Sequence, residues 1–152
     1  MVFLFYPNIP LQLPKVNLTV SEAQSLCRDQ KKHLCTSAEW LAACEGPEGN
    51  RWAYGSQYDP SKCHHNAPDG LGKAQPTGES TECTTTAGVY DLTGNVWEWC
   101  QDWYKEDYYS KSPVNNPQGP EDGSHRVLRG GSWNSDTSAL RVDYRSEFNP
   151  LP

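Results

Sequence analysis

The strongest constraint on the fold of this chain is its shortage of aliphatic side chains. Leu, Val, Ile and Phe together supply only 24 of the 152 residues, a proportion that on its own is typical of disordered chains. The sequence also contains 6 Trp, 8 Tyr and 6 Cys, and each aromatic ring can bury a large apolar area. Glycine and proline contribute 12 residues each, which predicts many turns. We therefore expect one loop-rich domain packed around aromatic rings and held by disulfides.

The charge pattern argues against two classes of partner. Asp and Glu number 19 against 13 Lys and Arg, which gives a net charge of −6. Non-specific binding to nucleic acid or to an anionic membrane surface needs a basic field, so we expect no nucleic-acid partner. The mean hydropathy is −0.80, and the sequence has no apolar run of membrane-spanning length, which predicts no membrane insertion.

The cysteine content favours an oxidising, extracytoplasmic compartment. The segment 1–6 is apolar, but it lacks the basic start and the length of a signal peptide. Between residues 46 and 87 the chain is rich in Gly, Pro, Asn, Ser and Thr, and a loop of this length must be tied down. Either a bound ion or a Cys63–Cys83 disulfide would do this, and the disulfide is the favoured prediction.

Two capping boxes predict two helices. In each, a threonine is followed three residues later by a glutamate, at 19–22 and at 36–39. The first helix is expected at about 20–30, and Gly46-Pro47 is expected to end the second. Short strands are predicted at 89–90 and 96–100, joined by a tight turn, and at 126–133, where two glycines interrupt the strand.

The segment 88–99, GVYDLTGNVWEW, carries a candidate metal site. Asp91 and Glu98 are carboxylates that flank the tight turn, and the carbonyl groups of Gly94 and Val96 can point inward with them. Oxygen ligands that converge in this way suit a hard cation such as Ca²⁺. The alternative from residue chemistry is structural, with Asp91 capping the turn and Glu98 forming an ion pair.

Together with LCTSAEW at 34–40 and RGGSW at 129–133, this segment resembles the formylglycine-generating enzyme (sulfatase-modifying factor) family, from about Tyr6 to Pro150. The resemblance implies an α+β fold of the C-type-lectin-like type, loop-rich, with two helices plus short antiparallel strands. It also implies Ca²⁺ as a cofactor at the turn, because family members bind it at the positions that match Asp91, Gly94, Val96 and Glu98.

Copper is not expected in this chain. The family enzymes use O₂ to oxidise a sulfatase cysteine, and they hold copper on two cysteines in the pattern Gly-Gly-Ser-x-x-Cys-x₄-Cys. When the Gly-Gly-Ser of this pattern is aligned with residues 130–132, the two cysteine positions fall on Ser135 and Leu140. Soft thiolates bind Cu(I), whereas a hydroxyl is a poor substitute and a hydrocarbon has no lone pair. An iron-dependent branch of the superfamily uses His-x₃-His-x-Glu, and none of the four histidines has that spacing.

The chain ends also differ from the family pattern. Members have strands before the region that matches 5–8 and a closing strand after the region that ends at 150. Their disulfides join the positions of Cys27 and Cys44 to cysteines near the C-terminus, which are absent here or replaced by Arg145. Cys27 and Cys44 are therefore expected to be free, paired with each other, or paired with Cys35 or Cys100. The resemblance implies one domain over 1–152 that is shortened at both ends, a fragment, or completed by another chain.

These observations lead to a non-catalytic binding or interaction module, stabilised by calcium, with a protein or carbohydrate ligand. In the related variable proteins of retroelement systems the segment after Gly-Gly-Ser displays diversified residues. The candidate binding surface here is Trp133, Asn134, Ser135, Asp136, Tyr144 and Ser146. The alternative is an enzyme, either of the sulfatase-modifying type acting on a protein cysteine or another metal-dependent oxidase whose site the sequence does not reveal.

Overall fold

A computed structural model describes residues 12–65 and 72–150. The predictions on the N-terminal segment 1–6, and the family match at 5–8, lie outside these residues. The described chain has the expected α+β architecture, with two helices against a small antiparallel sheet and long loops between them. The elements are α1 Val20–Asp29, α2 Ser37–Glu45, β1 Glu98–Trp103, a 3₁₀ turn Tyr108–Ser110, β2 Arg126–Arg129 and β3 Ser146–Phe148.

Both predicted capping boxes are confirmed at the helix starts. The Thr19 hydroxyl accepts the Glu22 N–H at 3.2 Å, and the Glu22 carboxylate accepts the Thr19 N–H at 2.8 Å. The same reciprocal pair joins Thr36 and Glu39 at 3.1 and 2.8 Å. Each box satisfies backbone donors that the first helical turn cannot satisfy internally. Gly46 ends α2 with a φ of 62°, a conformation that favours glycine.

The sheet runs in the order β1-β2-β3, with both pairs antiparallel. Neighbouring residues of a strand point to opposite faces, so the two helices cover different faces. On one face Trp99 and Leu128 pack with α1. On the other, Cys100 and Val127 pack with Trp40 of α2. Three tryptophans and five cysteines share the buried core of the described chain with nine Leu and Val residues, and no Tyr or Phe is buried there. The composition therefore predicted the tryptophans and cysteines of the core but underestimated its aliphatic part.

The strands differ from the sequence expectation in four places. The strand predicted at 126–133 ends at Arg129, because Gly130 and Gly131 both have a positive φ and leave the extended conformation. Tyr90 makes an isolated bridge with Thr84 rather than belonging to a strand. The strand predicted at 96–100 begins at Glu98 and continues to Trp103, and β3 was not predicted. The predicted hairpin does not form, because the turn between its arms makes its backbone hydrogen bonds elsewhere. Gly94 N–H donates to Gly130, and Asn95 N–H donates to His64, both at 2.8 Å.

The favoured disulfide is confirmed, and it ties the long loop to the core. Cys63 and Cys83 are bonded, and Cys83 is fully buried. The Asp91 N–H donates to the Cys83 carbonyl at 2.9 Å, which attaches the bridge to the start of the 91–98 turn. In the described part of the chain, neither helix has the length and apolar character that crossing a bilayer requires.

Candidate functional site

The 91–98 turn is the centre to which several distant segments attach. Its backbone donors bond to residue 64 on one side and to residue 130 on the other, while its Asn95 carbonyl accepts the Trp133 N–H at 2.8 Å. The Asn95 side chain holds residue 75 through both its oxygen and its nitrogen. Asp91, Gly94 and Asn95 all have a positive φ, so the turn is a tight, left-handed bend held by tertiary contacts.

Glycine is required at the centre of this turn. Gly94 has a φ of +85°, and a Cβ atom built on it would lie 2.5 Å from the carbonyl oxygen of His64. That contact is far shorter than van der Waals packing permits. Any side chain here would push the His64 segment away and break the hydrogen bond from Asn95 to the same carbonyl.

Both carboxylates of the predicted calcium site are buried. Asp91 is 2% exposed and Glu98 is 4% exposed. Asp91 Oδ2 accepts the Gly78 N–H at 2.8 Å, and one Glu98 oxygen accepts the indole N–H of Trp40. The other oxygen of Glu98, Oε1, is buried with no hydrogen-bond partner. A buried, unpartnered carboxylate oxygen is costly and calls for a compensating positive charge.

The pKa shifts of Asp91 and Glu98 also favour a bound cation. Burial raises the pKa of Asp91 to about 6. Burial also raises the pKa of Glu98 well above its ordinary value, and nearby negative charge, including that of Asp91, adds to the effect. Because burial disfavours the ionised form of both acids, one bound cation would favour the ionised form of each. The residues present therefore fit a hard cation.

The donor set at this turn is made of oxygen. Within residues 12–65 and 72–150, no three His, Cys, Asp or Glu side chains gather into a group that could hold a metal. A cation here would need backbone carbonyls as well as Asp91 and Glu98, and Gly94 and Val96 lie in the turn between them. Such a mixture of carboxylate and carbonyl oxygens is the coordination that Ca²⁺ takes in proteins.

The two positions that match the copper cysteines meet in space. Both side chains lie against Gly131, where a built Cβ atom would be 2.7 Å from Leu140 Cδ2 and 3.3 Å from Ser135 Cβ. Leu140 is fully buried. The Ser135 hydroxyl accepts the Ser132 N–H at 2.9 Å. The structure thus brings these two positions together and fills the place with a hydrocarbon and an internally bonded hydroxyl.

The predicted binding surface divides into two parts on either side of the turn. Residues 133–136 form one bend, in which Asn134 accepts the Ser132 hydroxyl at 2.7 Å and Asp136 caps the next turn by accepting the Ser138 N–H at 3.0 Å. The other part is Tyr144 and Ser146, at the start of β3. Tyr144 is 40% exposed, and its ring packs on Trp97 at 6.2 Å between centroids.

Arg129 is a structural residue beneath this surface, for which the sequence indicated no role beyond membership of the RGGSW motif. Its side chain is 1% exposed. It donates to the Val142 and Tyr144 carbonyls at 2.8 and 3.0 Å and to the Ser37 hydroxyl at 2.8 Å. The sequence signal that could have indicated this role is the place of Arg129 at the start of the RGGSW motif. The guanidinium fixes the backbone that presents Tyr144.

Within residues 12–65 and 72–150, no histidine belongs to a group of side chains that could hold a metal. His64 bonds to the Lys73 carbonyl at 2.8 Å, and His65 lies 3.3 Å from the Tyr58 hydroxyl. In the part of the chain that the structure describes, the cysteines outside the disulfide are free. They are Cys27, Cys35, Cys44 and Cys100. Of the alternatives given for Cys27 and Cys44, the structure therefore has the one in which both are free thiols.

Comparisons with known proteins place these features in a family. The sequence profile of the FGE-sulfatase family, described as a sulfatase-modifying factor enzyme 1-like domain, matches residues 8–151. The chain is 36% identical to the formylglycine-generating enzyme of Streptomyces coelicolor, covering 90% of this chain and 48% of that protein. It is 39% identical to the serine/threonine-protein kinase Pkn1 of Chlamydia trachomatis, covering 90% of this chain but 22% of that protein.

Solved structures give the same fold. Treponema denticola variable protein 1 superposes with a TM-score of 0.68 at 31% identity, covering 78% of this chain and 42% of that one. PvdO from Pseudomonas aeruginosa superposes with a TM-score of 0.75 at 21% identity, covering 91% and 57%. The chain therefore spans about half or less of the length of the curated relatives described above, and between two and three fifths of these two structures.

Proposed function

The chain belongs to the sulfatase-modifying factor enzyme 1-like family, and from that premise we propose that it is a non-catalytic, calcium-stabilised binding module. The fold supplies a rigid scaffold, but the function of a domain is decided by its site and not by its fold. The proposal is therefore argued from the residues at the place where the family enzymes hold copper and from the surface beside it.

The observation that carries the proposal is the contact of Ser135 and Leu140 with Gly131. Family enzymes would present two thiolates here. In this chain the Ser135 hydroxyl is engaged with Ser132, and Leu140 has no lone pair to donate. Cu(I) prefers soft sulfur ligands, so these residues do not fit copper, and no oxidation step is assigned to this place.

Calcium has a structural role in this proposal. Asp91 and Glu98 would supply carboxylate oxygens, and Gly94 and Val96 would supply carbonyl oxygens to the same ion. The bound charge would offset the burial of both acids. Because Trp133 bonds to Asn95 and Tyr144 packs on Trp97, an ion that stiffens the turn would also stiffen both parts of the binding surface.

The ligand of this surface is proposed to be a protein or a carbohydrate. The exposed Tyr144 ring beside Trp97 offers an apolar plate in one part of the surface, where Ser146 adds a hydroxyl, and Asn134 and Asp136 offer exposed polar groups in the other part. This mixture of rigid aromatic and adaptable polar side chains is typical of recognition surfaces. The likeness to Treponema denticola variable protein 1, at 31% identity, supports a display role for this segment.

An enzymatic role is the second candidate, because a formylglycine-generating enzyme is among the relatives at 36% identity. Against it, the bovine relative at 29% identity is named an inactive C-alpha-formylglycine-generating enzyme 2, so the fold occurs without the activity. The enzyme candidate requires either oxidation of a protein cysteine or another metal-dependent oxidation at a site that the described residues do not reveal.

One assay separates the two candidates. The purified protein is incubated with Cu(I), O₂ and a peptide containing Cys-x-Pro-x-Arg, and formylglycine is measured by mass spectrometry against a copper-only blank. The binding module is expected to give no turnover above the blank and to contain calcium without stoichiometric copper or iron by elemental analysis. Turnover, or a stoichiometric redox metal, would overturn the proposal in favour of the enzyme.

A further inference from the structure

A cavity of about 520 Å³ lies between the α1–α2 connection and the sheet. Its buried wall is largely apolar and includes Leu34, Leu92, Trp40 and Trp99. A volume of this size suits a small organic molecule. None of the six residues of the candidate binding surface lines this cavity, so a molecule bound here would be distinct from the protein or carbohydrate ligand proposed above.

The mouth of the cavity carries charged side chains. Lys31 and Lys32 line it and are exposed, as are His33 and Glu39. The Glu39 carboxylate is already engaged, because it accepts the Thr36 N–H at 2.8 Å and lies 3.1 Å from His33 Nε2. Lys31, in contrast, forms no salt bridge in the described part of the chain. The mouth can therefore offer a cation to an anionic group of a ligand.

The end of α1 places Lys31 at this mouth. Gln30 is the C-cap of the helix, and after it the Lys31 N–H donates to the Arg28 carbonyl at 2.8 Å and the Lys32 N–H donates to the Cys27 carbonyl at 2.9 Å. These two bonds form a Schellman motif, in which the residue after the cap is left-handed and usually glycine. Lys31 occupies that position with a φ of 59°. A lysine here carries a conformational cost that glycine would avoid, and its charge beside the cavity gives the side chain a use.

The one acid of the buried wall disfavours an anion deep in the cavity. Glu98 lines the cavity and is 4% exposed, and its carboxylate accepts the indole N–H of Trp40. A second negative charge beside this carboxylate would be unfavourable. The charged end of a bound anion is therefore expected at the exposed mouth, beside Lys31, with its apolar end against the buried wall.

We propose that the cavity binds a small amphipathic carboxylate, with its apolar body against Leu34, Trp40 and Trp99 and its carboxylate at Lys31. Burial of the apolar body supplies most of the affinity. The charge-assisted hydrogen bond from the lysine sets the orientation and adds selectivity for an anion. Short fatty acids and aromatic carboxylic acids both belong to this class.

Octanoate and octanol are the two probes that test the site, because they share an apolar chain and differ in the charge of the head group. Each is titrated into the protein, in buffer containing calcium, by isothermal calorimetry and by quenching of tryptophan fluorescence, since Trp40 and Trp99 line the cavity. We expect saturable octanoate binding that changes the fluorescence. Octanoate that does not bind the wild-type protein saturably would overturn the proposal.

Lys31→Gly separates recognition of the anion from a structural role. Glycine removes the charge but relieves the left-handed backbone, so the Tm of the variant should not fall. Its octanoate affinity should nevertheless weaken by about fivefold, whereas its octanol affinity should be unchanged. Lys111→Gln is the matched control for loss of one exposed lysine charge, and it should bind both probes as the wild type does. Unchanged octanoate affinity in Lys31→Gly would overturn the contact assigned to this lysine.

A pair of neighbouring alanines tests the location of the apolar body. Ala43 lines the cavity, whereas Ala42, the preceding residue of α2, is exposed and does not line it. Ala43→Phe should fill the cavity and abolish the binding of both probes, and Ala42→Phe should leave it intact. Wild-type affinity in a folded Ala43→Phe protein would show that the probes bind elsewhere and would overturn the proposal. If Ala43→Phe does not fold, the probe titrations of the wild type and of Lys31→Gly still decide the matter.

Discussion

Trp40 of α2 donates its indole N–H to one oxygen of the Glu98 carboxylate on β1, and the other oxygen of that carboxylate is buried without a partner. The hydrogen bond orients the carboxyl group, while the unpartnered oxygen leaves one ligand position open. Trp40 thus acts as a positioning residue for the proposed calcium ligand, and it links the helix packing to the site.

Removal of calcium is expected to destabilise the protein through this carboxylate. At a calcium concentration a hundredfold above Kd, bound metal stabilises the folded state by about 2.7 kcal/mol, and for a domain of this size EDTA should then lower Tm by roughly 5–10 °C. Glu98→Gln keeps an oxygen acceptor for Trp40 but loses the charge, so its Tm should not respond to EDTA. The measurement is thermal unfolding with and without chelator.

The matched control for this experiment is Glu121→Gln, because Glu121 is an exposed carboxylate far from the turn in sequence. It should retain the full response to EDTA. If wild-type protein melts at the same temperature with and without chelator, while elemental analysis confirms that the metal was removed, the calcium proposal fails.

In metal-stripped protein, the pH dependence of the free energy of unfolding should reveal the ionisation of the Asp91 carboxyl group. Burial raises the pKa of this group to about 6 from an ordinary 3.8, so between these values the folded chain holds a proton that the unfolded chain has released. The free energy of unfolding should therefore fall as pH rises from about 4 to about 6 and level off above, by up to about 3 kcal/mol. Urea unfolding across this range measures the effect.

Two comparisons isolate that decline. Asp91→Asn cannot ionise, so the same titration should lack this component. Excess calcium stabilises the ionised carboxylate, so the decline should also disappear when the metal is restored. A wild-type curve that matches Asp91→Asn throughout the window in metal-stripped protein would contradict the prediction.

Gly88 and Gly94 have similar positive φ values, so substituting each by alanine separates the cost of backbone strain from the cost of a steric clash. Gly88 has a φ of +78° with no atom within 4 Å of a built Cβ, whereas the Cβ of Gly94 would collide with the His64 carbonyl. Gly88→Ala should therefore cost about 1 kcal/mol, and Gly94→Ala roughly 2–4 kcal/mol because overpacking is added. Denaturant unfolding of both variants tests this, and equal costs would show that the His64 segment moves aside freely.

Local signals in the sequence were sufficient for the helices and for one disulfide. A capping box involves residues three apart, so the starts of α1 and α2 follow from the sequence alone. The Cys63–Cys83 bond could be anticipated because an aperiodic loop between two cysteines needs a cross-link. The fold family also followed from motifs whose order and spacing are specific.

The strand β3 and the path of the turn could not be obtained in this way. Residues 146–148 read Ser-Glu-Phe, which has no strand pattern, and they become a strand because β2 offers an open edge for pairing. The 91–98 turn looks like a hairpin locally, but the Asn95 N–H bonds to a residue 31 positions earlier and the Gly94 N–H to a residue 36 positions later. Such tertiary partners, including those of Arg129, leave no trace in local periodicity.

The contact of Ser135 and Leu140 with Gly131 predicts that copper binding can be restored by substitution. Because both side chains border the same glycine, Ser135→Cys with Leu140→Cys should place two thiols side by side, the pair that Cu(I) prefers. We expect the double variant to compete for Cu(I) against a chromophoric chelator at least about tenfold better than either single variant, since only the pair can chelate. The single variants control for Cu(I) binding by Cys35 and the buried thiols. Leu140→Cys also controls for the stability lost by truncating Leu140, about 2 kcal/mol. A double variant that binds Cu(I) no better than its parents would mean that the two positions do not form a ligand pair, which would remove the observation on which the loss of catalysis is argued.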